Sequence, residues 1–366
     1  MEIKCYKFTP TELKFCGVID DPVSFMFCRK YSGIGEWQIV QSLDTVNAAR
    51  IADFDFIQIA PRVAGIVTKV ITDKGTSNKR TIKGIELKGI AKQRIVMPPT
   101  GSAELSYSNT AVNKVMEGLF ATQIVSPSDT NRAIPLTRVI PLASDVTTKI
   151  YYSGRFADLH EDLTNISAAS GVGWYAEIAE GYIDFSCMIG LDRTAGQQEN
   201  QRLILSLHNN RLDSLYVDKN TRWVNLGYVA GQGEGTQRTV ITRSVNNDTS
   251  GLGRYEAYID ARDLSTVDEL KSRGDEKLAE FGDNITVTAT MSKSFATQYG
   301  TAFDLGDIAT IKDDALPMGA LDARITEIET VCEGGEQTIS VTLGYNKSQI
   351  NDVLNRLKNN KSINAR

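Results

Sequence analysis

The sequence predicts a mainly β, multi-domain protein in which two similar small β-barrels accompany an inserted α+β domain. Three observations support this prediction. Apolar and polar residues alternate at strand spacing through most of the 366 residues. Helical spacing is confined to a few segments, and one strand–turn–strand pattern occurs near both ends of the chain. At 40.2 kDa the chain is long enough for two or three domains with cores of their own.

Strand candidates begin at the N-terminus, where alternating segments flank the turns Thr9-Pro10 and Asp20-Asp21-Pro22. The first and middle parts of the chain contain strand candidates at residues 2–8, 12–18, 23–29, 63–70, 80–87 and 182–189.

The pattern that occurs twice favours an internal duplication. Residues 55–59, 66–72 and 80–89 form two strand pairs with a glycine turn at 73–75. Residues 307–311, 325–330 and 337–344 follow the same order, with their turn at 333–335. Two copies of one small barrel explain the repeat, and chance similarity between β-hairpins is the alternative.

Helical patterns indicate the insert. Asn109 is a candidate N-cap for a helix with apolar positions from Val112 to Phe120. A second helix carries Phe156, Leu159, Leu163 and Ile166 and stops at Ser170-Gly171. A third begins after Ser265, whose spacing to Asp268 resembles a capping box, and Gly274 weakens its middle.

The boundary signal Pro98-Pro99-Thr100-Gly101 separates the first strands from the insert. The chain is therefore divided into residues 1–97 as the first part of the first barrel, 98–201 as the inserted α+β domain, 202–262 as a segment returning to the first barrel, 263–346 as the second barrel, and 347–366 as a C-terminal amphipathic tail.

Composition excludes several classes of protein. A net charge of −5 leaves no global basic surface for DNA, and no stretch approaches eighteen apolar residues. The N-terminus lacks a signal-peptide pattern. Five cysteines without CxxC spacing indicate free thiols, and two distant histidines give little support to a zinc or imidazole site. We predict no catalytic, cofactor-binding or metal-binding residues.

The glycine-rich loop Gly231-Gln-Gly-Glu-Gly235, called the GQGEG loop below, raises the question of phosphate binding. A phosphate loop needs a following helix and, in a P-loop, a Lys directly after the last glycine. The residues after Gly235 are instead β-branched, and Glu234 adds a negative charge. Glycine is therefore expected to serve a turn or a close backbone approach.

Acids and arginines are interleaved between residues 254 and 263. Glu256, Asp260 and Asp263 are candidate carboxylates for a glycan or peptide hydrolase, but the arginines favour ion pairs that brace a turn or a subunit contact. Trp174-Tyr175 is a candidate sugar-stacking pair, with core packing as the alternative. The candidate structural and interface residues are Gly231, Gly233, Glu234, Gly235, Arg238, Arg254, Glu256, Asp260, Arg262, Asp263, Ile350, Val353, Leu354 and Leu357.

Several motifs in one order over more than two hundred residues resemble those of the tail-hub, or tail-associated, proteins of long-tailed bacteriophages and prophages. The motifs are Tyr31-Ser-Gly-Ile-Gly-Glu-Trp-Gln38, Val115-Met-Glu-Gly-Leu-Phe120 with Ile134-Pro135, Gly190-Leu-Asp-Arg193, Tyr228-Val-Ala-Gly-Gln-Gly-Glu-Gly-Thr-Gln-Arg238, Ser250-Gly-Leu-Gly-Arg-Tyr-Glu256 and Asp260-Ala-Arg-Asp263.

The resemblance implies a homotrimer with two barrels per chain, which presents six barrels in a ring that closes the tail tube. It implies the distal tail ring protein, the tape-measure protein and downstream receptor-binding or lytic tail proteins as partners, with DNA only in transit. It also implies a place at the virion tail tip after synthesis in the host bacterial cytoplasm, and makes the apolar stripe of the C-terminal tail a docking element. The alternatives are a cell-wall-degrading enzyme and a carbohydrate-binding module.

Overall fold

The computed structural model describes residues 2–45, 54–220, 224–244, 250–262, 264–280, 284–314, 316 and 319–345. Five candidate residues lie outside the described residues: Asp263, Ile350, Val353, Leu354 and Leu357.

The first seven strands form an antiparallel sheet around one core. The strands are β1 (Ile3–Phe8), β2 (Leu13–Ile19), β3 (Ser24–Lys30), β4 (Glu36–Ser42), β5 (Phe56–Ala60), β6 (Val63–Asp73) and β7 (Lys79–Glu86). Their order is β2-β1-β5-β6-β7-β4-β3. Alternate residues of the strands face inward, and the core includes Ile3, Phe27, Ile39, Ile57 and Ile82. The predicted strands in this part of the chain are confirmed.

Trp37 is the largest side chain in this core, and two glycines make room for it. Its indole nitrogen donates to the carbonyl of Ile85 at 3.0 Å. A Cβ on Gly65 would lie 2.0 Å from that nitrogen, and one on Gly84 would lie 2.3 Å from Cζ2 of the ring. The ring therefore packs flat on the backbone of β6 and β7.

The insert contains two small sheets and two helices. Its elements are β8 (Leu105–Ala111), α1 (Val112–Phe120), β9 (Thr137–Val139), β10 (Lys149–Gly154), α2 (Leu159–Ser170), β11 (Gly173–Ala179) and β12 (Tyr182–Met188). Strand β8 pairs with β10, and β12 lies between β11 and β9. The faces of α1 and α2 pack around Trp174 and Phe185 in a core that extends to the first sheet.

Two details of the insert differ from expectation. Asn109 is not the cap of α1, because it lies in β8 with a φ of 47°, and Ala111 precedes the helix. Phe156 lies before α2 and is 53% exposed, so it does not belong to the buried face. The glycine stop is confirmed: Gly171 has a φ of 72° and its amide donates to the carbonyl of Ser167.

A small separate sheet follows the insert. After β13 (Ile204–Leu205) and β14 (Leu212–Asn220), the chain forms β15 (Leu226–Ala230), β16 (Val240–Ser244), β17 (Glu256–Asp260) and the helix α3 (Val267–Glu280). The strand order is β16-β15-β17. Helix α3 covers this sheet, and a Cβ on Gly274 would lie 2.7 Å from Val229. Gly274 therefore permits close helix–sheet contact.

The second barrel is completed by β18 (Asn284–Met291), a short helix α4 (Lys293–Ala296), β19 (Ile308–Lys312), β20 (Ala320–Glu333) and β21 (Glu336–Tyr345). Strands β18, β21 and β20 are consecutive neighbours, and β19 pairs with β20. Their core contains Val287, Ile311, Ile325, Val341 and Leu343.

The division into domains stays a prediction, but strand pairing departs from it for the segment after residue 201. Strand β13 pairs with β19 and β14 pairs with β18, so residues 204–220 do not return to the first sheet. Leu203, Leu205 and Leu212 are buried in the second core, which is the physical reason for the departure. The GQGEG loop lies in the small separate sheet and not in the first barrel.

The repeated sequence pattern corresponds to a repeated structure. Strands β5-β6-β7 and β19-β20-β21 are both antiparallel meanders, and each has a bulge in its middle strand. Thr68 at the first bulge donates to the carbonyl of Lys83 at 3.3 Å. Thr326 at the second donates to the carbonyl of Thr342 at 3.1 Å. The same residue type at the same bulge favours duplication over chance similarity.

A pair of aspartates extends this correspondence. The carbonyls of Asp55 and Asp307 accept from the residues just before the bulges, Val67 and Ile325, at 2.8 Å each. Each carboxylate also accepts one backbone amide from another segment, Phe8 in the first copy and Leu191 in the second, both at 2.8 Å. The two meanders thus have equivalent internal hydrogen bonds, and each is attached to another segment at the equivalent aspartate.

The two barrels are joined through one long strand. The first residues of β20 pair with β19, while Glu327–Glu333 pair with β3 of the first barrel. This pairing creates one continuous path of strands with β2 and β14 at its ends.

We predict that Gly84→Ala lowers the free energy of unfolding by about 1–3 kcal/mol, because its Cβ overpacks the space that Trp37 fills. That atom would lie 2.0 Å from the carbonyl oxygen of Ile66 as well as against the indole. Urea unfolding followed by tryptophan fluorescence measures the effect. Gly196→Ala is the control, since a Cβ there meets nothing within 4 Å. Equal stability of the two variants would contradict the packing argument.

Candidate functional site

The GQGEG loop links β15 to β16, and its first two backbone amides are already engaged. The amide of Gly231 donates to Thr239 at 2.8 Å, and that of Gln232 donates to Leu264 at 3.0 Å. The amides of Gln237 and Arg238 close a short 3₁₀ turn onto Glu234 and Gly235. A phosphate cradle needs converging free amides before a helix, and this strand–turn–strand geometry does not supply them.

Each glycine of the loop has a structural role of its own. A Cβ on Gly231 would lie 2.9 Å from Leu270, so this position allows α3 to approach. Gly233 has a φ of +108°, and a Cβ there would lie 2.9 Å from Cα of Arg238. Gly235 has a φ of +55° with open space around it. The expected turn and close approach are therefore both present.

Arg238 holds the loop to the end of β17. Its guanidinium donates to the carbonyls of Gly231 at 2.8 Å and Ala230 at 3.0 Å, and to Asp260 at 2.9 Å. Arg262 binds the same carboxylate at 2.7 Å. Hydrogen bonds from Arg262 and from Arg238 hold the pKa of Asp260 below its usual value. Asp260 is therefore an ionised brace between two arginines.

The neighbouring acid is paired in the same way. The guanidinium of Arg254 contacts the carboxylate of Glu256 and donates to the hydroxyl of Tyr228 at 2.8 Å. Glu234 is exposed and forms no ion pair with the described residues. Paired carboxylates of this kind stay ionised, whereas a general acid needs a raised pKa. The geometry agrees with bracing and gives no support to acid catalysis by Asp260 or Glu256.

A second cluster of interactions lies where the insert meets both barrels, and Tyr31 is at its centre. The hydroxyl of Tyr31 donates to the carbonyls of Gly171 at 2.8 Å and Met188 at 3.2 Å. Its ring packs so closely on Gly173 and Gly306 that a Cβ on either would lie 2.3 Å from it. One side chain of the first barrel thus touches the insert and the second barrel.

Two buried cations of the first barrel contribute to the same junction. Lys88 is 1% exposed, and its ammonium contacts the carbonyl of Lys30, that of Trp174 at 3.1 Å and the carboxylate of Glu86 at 3.6 Å. Burial lowers the pKa of Lys88 to about 8, although Glu86 opposes this shift. Arg29 in the first barrel binds Asp304 of the second at 2.9 Å.

The motif Gly190–Arg193 connects the insert to the second barrel. Arg193 and Asp307 form a buried ion pair at 2.7 Å, and the amide of Leu191 donates to the same carboxylate. A Cβ on Gly190 would lie 1.8 Å from the carbonyl oxygen of Gly306. This motif and Tyr31–Gln38 are therefore parts of one domain junction.

The two motifs entered the sequence analysis as family markers, and the roles of Lys88, Arg29 and Asp304 were missed. A lysine within the apolar stretch Leu87–Ala91 was the available signal, since a buried lysine requires partners. Trp174 is fully buried and donates to the carbonyl of Ser32 at 2.6 Å. The core-packing alternative for Trp174 is confirmed, and the sugar-stacking hypothesis for it is wrong.

No group of three or more His, Cys, Asp or Glu side chains in the residues that the structure describes is arranged to hold a metal ion. None of the five cysteines, all of which are described, forms a disulfide, as expected. Across the described part of the chain, none of the helices has the length and apolar character needed to span a bilayer.

Comparison with known families identifies one match over almost the whole chain. Residues 8–345 match the family described as Siphovirus ReqiPepy6 Gp37-like protein. A curated relative, the tRNA modification GTPase MnmE of Exiguobacterium sibiricum, is 26% identical over 218 residues. That alignment covers 54% of this chain and only 45% of the GTPase. No Gly-Lys pair occurs in the sequence, so the P-loop of a GTPase is missing.

Solved structures share the fold over nearly their whole length. The prophage MuSo2 43 kDa tail protein from Shewanella oneidensis superposes with a TM-score of 0.57 at 11% identity, covering 96% of this chain and 100% of that one. A tail protein from Neisseria meningitidis gives 0.55 at 10% identity, covering 96% and 98%. The prophage tail protein gp18 from Listeria monocytogenes gives 0.52 at 12% identity, covering 98% of both. The mainly β, multi-domain fold is thus confirmed.

We predict that Gly233→Val disrupts folding or assembly, because its left-handed φ and the backbone of Arg238 exclude a side chain. A loss of about 1–3 kcal/mol is expected in urea unfolding. Gly235→Asn is the matched control, since asparagine tolerates a left-handed φ and the space there is open. Nucleotide affinity is not expected to change, and ATP binding by the wild type would contradict our interpretation of the loop.

We predict that Lys88 contributes a rise in stability with pH. Its folded pKa of about 8 lies below the ordinary value of 10.5, so between these pH values the unfolded chain binds a proton that the folded chain does not. Cysteines with raised pKa, such as Cys28, act in the opposite direction. The measurement is therefore the difference in unfolding free energy between wild type and Lys88→Met. This difference should shift in favour of the wild type from pH 8 to pH 10.5, and a constant difference would contradict the assignment.

Proposed function

The chain belongs to the Siphovirus ReqiPepy6 Gp37-like protein family, and from that premise we propose that it is a structural hub subunit at the phage or prophage tail tip. Three copies assemble into a pseudo-sixfold ring that closes the distal tail tube. The ring links the tail to adhesion or lytic components.

The duplicated meander is the observation that carries this proposal. Two similar β units in each chain, multiplied by three chains, supply six similar positions around one axis. The bulges at Thr68 and Thr326 and the attachments at Asp55 and Asp307 support the equivalence of the two units. A trimer built in this way presents six similar positions to a tail tube of sixfold symmetry, so a single protein can join the two symmetries.

The ends of the strand path supply the contact between neighbouring copies. Strand β2 ends the path in the first barrel, and β14 ends it in the second. Each presents an exposed aromatic side chain, Phe15 at 54% and Tyr216 at 65%. Terminal strands offer backbone groups for pairing with another chain, and aromatic residues are enriched in interfaces. Contact between β2 of one copy and β14 of the next is a head-to-tail interface, which closes into a ring of three when successive copies are related by a rotation of about 120°.

The proposed location is the virion tail tip, after synthesis in the host bacterial cytoplasm. The proposed partners are the distal tail ring protein, the tape-measure protein and downstream receptor-binding or lytic tail proteins. DNA contacts the ring only in transit, which suits a chain of net charge −5 because like charge disfavours phosphate contacts.

We propose a role in assembly rather than in catalysis. Glu256 and Asp260 both form ion pairs with arginines. Burial raises the pKa of Asp162 to about 6, but this carboxyl is enclosed in the insert, where it accepts from Tyr152 at 2.6 Å. It therefore braces the insert instead of facing a substrate.

Light scattering over a concentration series and electron microscopy test the proposal. The expected result is a particle with three times the 40.2 kDa mass of one chain and a threefold ring with a central opening. Tyr216→Lys and Phe15→Lys should each abolish the ring, because each places a charge in the contact between terminal strands.

Tyr151→Lys is the matched control, since Tyr151 is a similarly exposed aromatic, at 58%, on β10 of the insert. It should leave the ring intact. A strictly monomeric wild type at the highest concentration would contradict the trimer. A ring that tolerates both edge variants would contradict the edge contact alone.

A further inference from the structure

A groove crosses the surface where the first barrel passes into the insert. Three adjoining cavities of about 470, 310 and 320 Å³ form it. The first two share Lys92 as a wall, and the last two share Arg132. The groove lies beside the 3₁₀ turn Leu87–Gln93, the start of α2 and the 3₁₀ turn Thr130–Arg132.

The middle of the groove holds two arginines side by side. Arg94 donates to the carbonyls of Arg132 at 2.8 Å and Gln93 at 2.9 Å. Arg132 donates to the carbonyl of Ile95 at 2.7 Å and the side-chain oxygen of Gln123 at 3.2 Å. A guanidinium has five N–H donors, so each arginine is fixed by neutral acceptors and keeps donors for another group.

Lys92, Arg94 and Arg132 form no ion pair with the described residues, although the carboxylates of Asp129 and Glu161 also line the groove. The three cations therefore outnumber the two acids. Burial and then the charge of Arg94 lower the pKa of Arg132, while the charge of Asp129 opposes this shift. Arginines elsewhere bind carboxylates: Arg138 with Asp184, Arg193 with Asp307, Arg238 with Asp260 and Arg243 with Asp275.

The two ends of the groove offer different surfaces. In the largest cavity, Nδ1 of His160 is buried and has no hydrogen-bond partner among the described residues. At the other end the wall is apolar and includes Met97, Pro98 and Leu105. Met97 is 36% exposed and Ile95, in the middle cavity, is 40% exposed. The positively charged middle of the groove therefore lies between an end walled by His160 and an end with apolar surface.

We propose that this groove binds an extended acidic peptide segment of another protein, with carboxylates on Arg94 and Arg132 and apolar side chains against Met97 and Pro98. Arginine is suited to carboxylates because its donors match them two at a time. Affinity for DNA grows with the number of phosphates neutralised, and this groove has only three cations. Few cations with apolar surface beside them therefore suit a peptide better than DNA. The site lies outside the proposed contact between terminal strands, so it does not depend on trimer formation.

Fluorescence anisotropy with the full-length protein tests the proposal. The probe is a labelled peptide of alternating glutamate and leucine, with a lysine–leucine peptide and a single-stranded DNA of similar length as comparisons. The wild type should bind the acidic peptide more tightly than either comparison, and less tightly as salt rises. Arg94→Gln with Arg132→Gln should weaken binding at least tenfold.

Arg202→Gln is the matched control, because Arg202 is an exposed arginine outside the groove that also donates to a backbone carbonyl, that of Gln197. It should bind as the wild type does. Lys92→Gln removes a charge from the groove without removing any hydrogen bond to the described residues. A severalfold loss of affinity for the acidic peptide in this variant therefore excludes misfolding as the cause of weaker binding. No binding of the acidic peptide, equal binding by the double variant, or equal loss in Arg202→Gln would overturn the proposal. Tighter binding of the DNA, lost in the double variant, would overturn the choice of a peptide.

Discussion

The position of Tyr31 is the constraint on which the arrangement of this molecule depends. Its ring lies against backbone that lacks side chains, at Gly173 in the insert and Gly306 in the second barrel, and its hydroxyl satisfies two further carbonyls. The buried ammonium of Lys88 contacts the backbone carbonyls of Lys30, the residue before Tyr31, and of Trp174. Three parts of the chain that are distant in sequence therefore meet around one aromatic ring, and none of them has room to shift without losing a buried hydrogen bond.

Local patterns predicted local structure well. Strand alternation located β1, β2, β3, β6, β7 and β12, and the glycine signal located the end of α2, because both depend on residues close in sequence. Strand partners were not predictable in the same way. Residues 202–262 are predicted to return to the first barrel, but β14 pairs with β18, since the choice of partner is made by the second core. Gly274 was interpreted as a weakness in a helix, and only the contact with Val229 reveals its purpose.

The candidate site was partly predictable for a similar reason. Interleaved acids and arginines indicated ion pairs, and Arg238, Asp260 and Arg262 form them. What the sequence did not specify is which charges stay unmatched. Arg94 and Arg132 look like ordinary surface arginines in the sequence, and they become distinctive because the fold places them side by side in one groove, bonded to neutral acceptors. Electrostatic features of this kind depend on what is absent nearby, which a linear pattern does not reveal.

Strand β20 has a mechanical consequence. Because its first residues belong to one barrel and Glu327–Glu333 form backbone bonds with β3 of the other, it acts as a strut between them. Rotating one barrel relative to the other would break the backbone hydrogen bonds between β20 and β3. Contacts between separate copies, by contrast, involve no shared strand. If a channel through such an assembly widens, the movement is therefore expected at the interfaces between subunits. Each subunit should move as a rigid body.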